Sequence, residues 1–134
     1  MNQLNKLKTM KKILILLLFA PLLSIGQTFS STSVLKYDVN EHGVKSLREQ
    51  VKGVSTIVIG KDMIMLTMVQ DKPTFLKIES IKRTSKMIHY YIEDDEGSTV
   101  VYHDNIENVK TIFLNVFSHD NSGTIFVFLN CKKN

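Results

Sequence analysis

The chain has one cysteine, two prolines, six glycines and no tryptophan in 134 residues. A lone Cys131 excludes an intramolecular disulfide, so the staples common in very small secreted domains are not available. Its neighbours Asn130, Lys132 and Lys133 supply no base to make it a nucleophile, and it reads as an unpaired thiol at the end of the last strand. The glycines form no phosphate-cradling loop. There is no Gly-x-Ser-x-Gly elbow and no Cys/His constellation with the spacing of a nucleophilic enzyme. No apolar run reaches the ~20 residues that a helix needs to cross a bilayer core. No Pro/Gly/Ser linker, low-complexity tract or internal repeat divides the sequence. These absences lean against catalysis and against a retained membrane helix.

What the sequence has is concentrated first at its start. Lys6, Lys8, Lys11 and Lys12 precede an apolar run from Ile13 to Leu23, and Ser24-Ile25-Gly26 then provides the small-x-small pattern of a cleavage site. That order predicts a signal peptide over residues 1–26, cut between Gly26 and Gln27, and a secreted or periplasmic protein. A lipid anchor would need a cysteine just after the apolar run, and none is there. The formal charge of +4 is a property of this leader. Without its four lysines, 13 basic side chains balance 13 acidic ones. A nucleic-acid or anionic-membrane partner is therefore not expected.

Residues 27–134 have the length of one domain, large enough to bury a core without disulfides. Their apolar residues recur with period two. Runs at 55–59, 63–69, 74–81, 87–93, 98–103, 109–117 and 124–129 are separated by turn residues such as Gly60-Lys61-Asp62, Gln70-Asp71-Lys72-Pro73 and Asp94-Asp95-Glu96-Gly97. The expected fold is an all-β antiparallel meander of about seven or eight strands, forming a small barrel or a sandwich. The segment before Gly53 reads two ways. Ser46-x-x-Glu49 resembles a helix capping box, whereas Asn40-Glu41-His42-Gly43 reads as a turn between strands. A turn followed by at most one helical turn is the expectation. The predicted core is Ile57, Ile59, Ile64, Leu66, Ile88, Tyr90, Ile92, Val100, Tyr102, Ile112, Leu114 and Val116.

Four histidines, His42, His89, His103 and His119, are the candidate metal ligands, and no two lie within four residues of each other. Only a hairpin can join a pair. If Gly97 closes a three-residue loop in a left-handed conformation, Ile92 faces Val100, Tyr90 faces Tyr102 and His89 faces His103. Opposed imidazoles could then reach one divalent ion, although no third ligand is near in sequence. The residues favour two ordinary strand histidines, and no cofactor is expected. The four consecutive carboxylates at 93–96 lack the alternating spacing that wraps calcium and read as a solvated turn.

The leader ending Leu23-Ser24-Ile25-Gly26-Gln27-Thr28, the Val58-Ile59-Gly60-Lys61-Asp62 turn and the Ile92-Glu93-Asp94-Asp95-Glu96-Gly97 hairpin give the chain an overall layout. It resembles the short secreted all-β proteins of unknown function common in Bacteroidetes. That resemblance implies no activity and no site residues. The sequence leaves three roles in view. The first is a non-catalytic binding module for an apolar ligand or a protein partner, suggested by apolar residues on both faces of several strands. The second is an envelope-associated structural protein that pairs through a sheet edge near Phe126 and Phe128. The third is a hydrolase with a site assembled from distant residues.

Overall fold

The computed structural model describes residues 26–134. The predicted leader, apart from Gly26, lies outside the described residues. Among these there is no helix, and the chain runs through nine strands: β1 (Gln27–Val39), β2 (Lys45–Ile59), β3 (Met63–Thr67), β4 (Thr74–Arg83), β5 (Met87–Ile92), β6 (Gly97–Asp104), β7 (Ile112–Ser118), β8 (Gly123–Leu129) and β9 (Lys132–Lys133). From β1 to β8 each strand pairs antiparallel with the next. Because β1 also pairs with β8, those eight close into a barrel. After a break at Asn130-Cys131, β9 resumes pairing with β1 at Phe29 and Ser30. The all-β meander is as expected, and the barrel is the architecture it takes.

Alternation puts one apolar face inward. Ile57, Ile59, Ile64, Leu66, Ile88, Tyr90, Ile92, Ile112 and Leu114 are buried as predicted, and Phe29, Val34, Val101 and Phe128 join them. Each such side chain contributes about 1.5–3 kcal/mol by leaving water. The interior is filled. A void of about 10 Å³ among Ile57, Leu76, Val101 and Phe128 is the space left at its centre, about the minimum for one water. Large β-branched and aromatic side chains meet across the axis.

The β5–β6 register differs from the expected one. Ile92 faces Thr99, Tyr90 faces Val101, His89 faces Tyr102 and Ile88 faces His103. One residue of slip exchanges the two faces of β6. Thr99, Val101 and His103 are buried, while Val100 and Tyr102, predicted as core, are only half-buried and point outward. The cause lies in the turn. The positive-φ glycines are Gly43 and Gly53, so Gly97 does not close a left-handed loop. Asp94 shapes the turn instead. Its Oδ1 accepts the Glu96 N–H at 2.9 Å and its Oδ2 accepts the Thr99 hydroxyl at 2.8 Å. These bonds hold the Asp94 carboxyl below its ordinary pKa. Val116 lies on the inward row of β7, opposite Thr99 and Thr124 at the end of that row, yet it is 37% exposed.

The ambiguous segment is a turn with no helix after it. The Asn40 side-chain carbonyl accepts the N–H groups of His42 and Val44, and Gly43 takes φ +80°. Glu49, the expected capping residue, ion-pairs with Lys36 across the strands at 3.0 Å. A bulge at Gly53-Val54 lets Ser31 face Ser55 but Ser33 face Lys52. Gly53 sits at φ +137°, and a β-carbon there would lie 2.8 Å from a Val69 methyl group.

Candidate functional site

One end of the barrel is open. The chain entry at Gly26-Gln27, the β2–β3 turn, the end of β4, the start of β5 and the end of β6 frame a cavity of about 400 Å³. Register explains which side chains reach it. Arg83, Ile88 and His103 face one another across β4, β5 and β6, and Ile81, Tyr90 and Val101 form the next row inward. Ile59, Ile81, Ile88 and Ile106 supply apolar wall. The charged residues lining the cavity are Lys61 and Arg83, and no carboxylate lines it. Both cations are exposed at the rim, and Arg83 makes no ion pair among the described residues.

Beneath that rim, Tyr90 and His103 are 5% and 2% exposed. His103 Nδ1 lies 2.8 Å from the Asp104 carbonyl oxygen, which can only accept, so Nδ1 carries the hydrogen. Nε2 is then the acceptor, and the Tyr90 hydroxyl donates to it at 3.2 Å. Burial pushes the His103 imidazole below its ordinary pKa, more than the Asp104 carbonyl and carboxylate restore, and Arg83 adds to the lowering. Burial also raises the Tyr90 phenol, partly offset by Arg83. The resting pair is a neutral phenol bonded to a neutral imidazole.

The expected opposition of His89 and His103 is not formed. His103 points into the barrel and His89 out of it, where its ring stacks on Tyr102 at 5.5 Å and Tyr91 at 6.2 Å between centroids. A sheet separates the two imidazoles, so they cannot share an ion. Among the described residues no group of three or more His, Cys, Asp or Glu side chains could hold a metal. Of the carboxylates at 93–96, Glu93 pairs with Lys77 at 3.3 Å and Asp94 is bonded within its turn. Cys131 is a free, buried thiol that donates to the Phe128 carbonyl at 3.3 Å, and burial raises its pKa.

Arg83 and Tyr90 were not singled out in the sequence as site residues. The only signal for Tyr90 was a hydroxyl on an inward-facing position of an apolar strand. Nor is the sheet edge where it was expected. Phe126 and Phe128 lie on β8, which is paired with β7 and β1 on its two sides. Among the described residues, one free edge is the start of β2, beyond the stretch that β3 covers, and another is the end of β4 on its β3 side. Lys45, Arg48 and Lys52 and the Gly53 bulge blunt the β2 edge against another strand. His103 bonds a phenol and a backbone carbonyl, not the serine or carboxylate that a hydrolytic site would place there. No protein-family model matches the chain and no curated protein matches its sequence, so the mouth is read from its own chemistry.

Proposed function

We propose that the chain is an exported, non-catalytic binding module whose open barrel end takes a small ligand with an apolar body. The observation that carries this reading is the cavity of about 400 Å³ walled by Ile59, Ile81, Ile88 and Ile106 at one end of an otherwise filled barrel. Its volume falls in the range of small-molecule sites, and its lining combines these isoleucines with the polar groups of Lys61, Arg83, Tyr90 and His103. A protein partner at the β2 edge is the weaker reading, because charges and a bulge interrupt that edge.

The test uses the uncharged fluorophore N-phenyl-1-naphthylamine, which brightens in apolar surroundings. It should saturate one site on the protein. Ile81→Glu combined with Ile106→Glu, both exposed wall residues, should weaken it at least about ten-fold, the equivalent of ~1.4 kcal/mol. An absence of saturable brightening, or equal binding by the double variant, would refute the mouth as the site.

A further inference from the structure

We infer that the ligand of this mouth is an amphipathic anion, and that its capture draws one proton onto His103. The inference rests on the mouth being the binding site and names the class of molecule held there.

The head group follows from charge. Lys61 and Arg83 are the charged lining groups, and no carboxylate lines the cavity to neutralise them. Arg83 lies two strands from His103 in one row, about 10 Å along the sheet, a span its side chain can bridge over Ile88. An anion seated there meets a guanidinium, the donor whose planar fork suits a carboxylate, sulfonate or phosphate oxygen. The isoleucines around it accept an apolar tail, and the filled interior below limits that tail to the mouth.

The proton follows from the hydrogen bonds. In the empty site the Tyr90 hydrogen is committed to His103 Nε2. If Nε2 takes a proton from solvent, it becomes a donor, and the Tyr90 oxygen accepts from it. Tyr90 is then released to donate its own hydrogen into the mouth. Nδ1 keeps its bond to the Asp104 carbonyl throughout. One proton is gained, no bond to carbon changes, and the ligand anion balances the new charge.

The groups facing the imidazole are consistent with this linkage. They are Arg83 from β4, Tyr90 from β5, Asp104 on its own strand, the uncharged Phe29 ring of β1 at 6.3 Å, and Ile112 opposite it on β7. Burial is the larger reason the imidazole stays neutral in the empty site, Asp104 works against it, and Arg83 adds a smaller opposition to the imidazolium. A bound anion screens Arg83 and removes that opposition. With proton uptake on binding, affinity should rise as pH falls, by up to about ten-fold per pH unit between the free and bound titrations of His103.

The experiment displaces N-phenyl-1-naphthylamine with 1-octanesulfonate, 1-octanol and methanesulfonate between pH 5 and 8. The sulfonates stay charged throughout, so any pH dependence belongs to the protein. Octanesulfonate should bind about ten- to a hundred-fold tighter than octanol, the range of a hydrogen bond to a charged group. It should tighten as pH falls, while octanol stays level and methanesulfonate displaces weakly. Arg83→Gln, an exposed change, should remove the preference for the anion. Tyr90→Phe and His103→Gln should each flatten the pH profile, and the imidazole proton resonances of the wild-type protein report the same proton uptake directly.

Equal binding of octanol and octanesulfonate, with the fluorophore still bound, would overturn the anion and leave the mouth standing. A level profile for octanesulfonate would overturn the proton uptake. Methanesulfonate as effective as octanesulfonate would overturn the apolar tail. Failure of the fluorophore itself to bind would remove both readings.

Discussion

Ser31 and Ser55 face each other in the wall of the barrel, both at 0% exposure, and differ in one respect. The Ser31 hydroxyl reaches the Leu129 carbonyl at 2.6 Å and also lies 3.0 Å from that of Ser33, tying β1 to β8 at the seam. Among the described residues the Ser55 hydroxyl has no hydrogen-bond partner. A buried hydroxyl without a partner costs about 1–3 kcal/mol, whereas a made bond contributes about 0.5–1.5 kcal/mol net. The same substitution should therefore have different effects on the two strands. Ser31→Ala should destabilise by about 1–2 kcal/mol, because it removes the buried bond to Leu129 that ties β1 to β8. Ser55→Ala should be neutral or stabilise by up to about 1 kcal/mol, since it removes one oxygen and leaves little void. With a urea dependence of about 1–3 kcal/mol per molar, the two unfolding midpoints should separate by roughly 1 M, Ser55→Ala being the higher. Equal losses in both variants would refute the assignment of the seam bond to Ser31 and the unpaired state of Ser55.

Gly53→Ala should cost about 1–3 kcal/mol, since a side chain at φ +137° is strained and its β-carbon collides with Val69. Gly43→Ala meets open space at φ +80° and should cost only about 1–2 kcal/mol, so a thermal melt in which Gly53→Ala is no worse would contradict the bulge geometry. Intact mass of the exported protein should correspond to a chain beginning at Gln27, and a mass retaining Lys11 and Lys12 would refute the export reading and return the net positive charge to the working protein.

The strands were legible because period-two alternation survives almost everywhere in this chain. Ile57, Ile59, Ile64 and Leu66 show one face of a hairpin whatever its loop, since parity does not depend on the turn. Register was less legible. Gly97 looked like a left-handed loop residue, but the Asp94 side chain set the turn, and Gly97 is small because a β-carbon would strike the Phe117 carbonyl oxygen. That contact is with a strand 20 residues away, beyond the reach of a local pattern. The slip hid the site as well as the face. With His103 placed beside His89, its pairing with Tyr90 could not be seen, and Arg83 read as part of a polar turn. The long β2 strand escaped because polar residues 45–52 carry no alternation, their inward side facing Lys36 and Asp38 instead of a core.

Closure of the barrel joins β1 to β8, and the Asn134 N–H bonds the Thr28 carbonyl at 2.8 Å. The first described strand cannot complete its pairing until the last has been made. The chain must stay unclosed while it is synthesised, and its native contacts are dominated by pairings that close late, a topology that folds in milliseconds to seconds. The same closure brings Gln27 and Asn134 to one end of the wall. Joining them through a short linker and opening the chain at the exposed 119–122 turn would preserve every strand pairing while moving the starting point of folding to β8. Comparing refolding rates of the two connectivities would separate the cost of bringing the seam together from the cost of packing the barrel's interior.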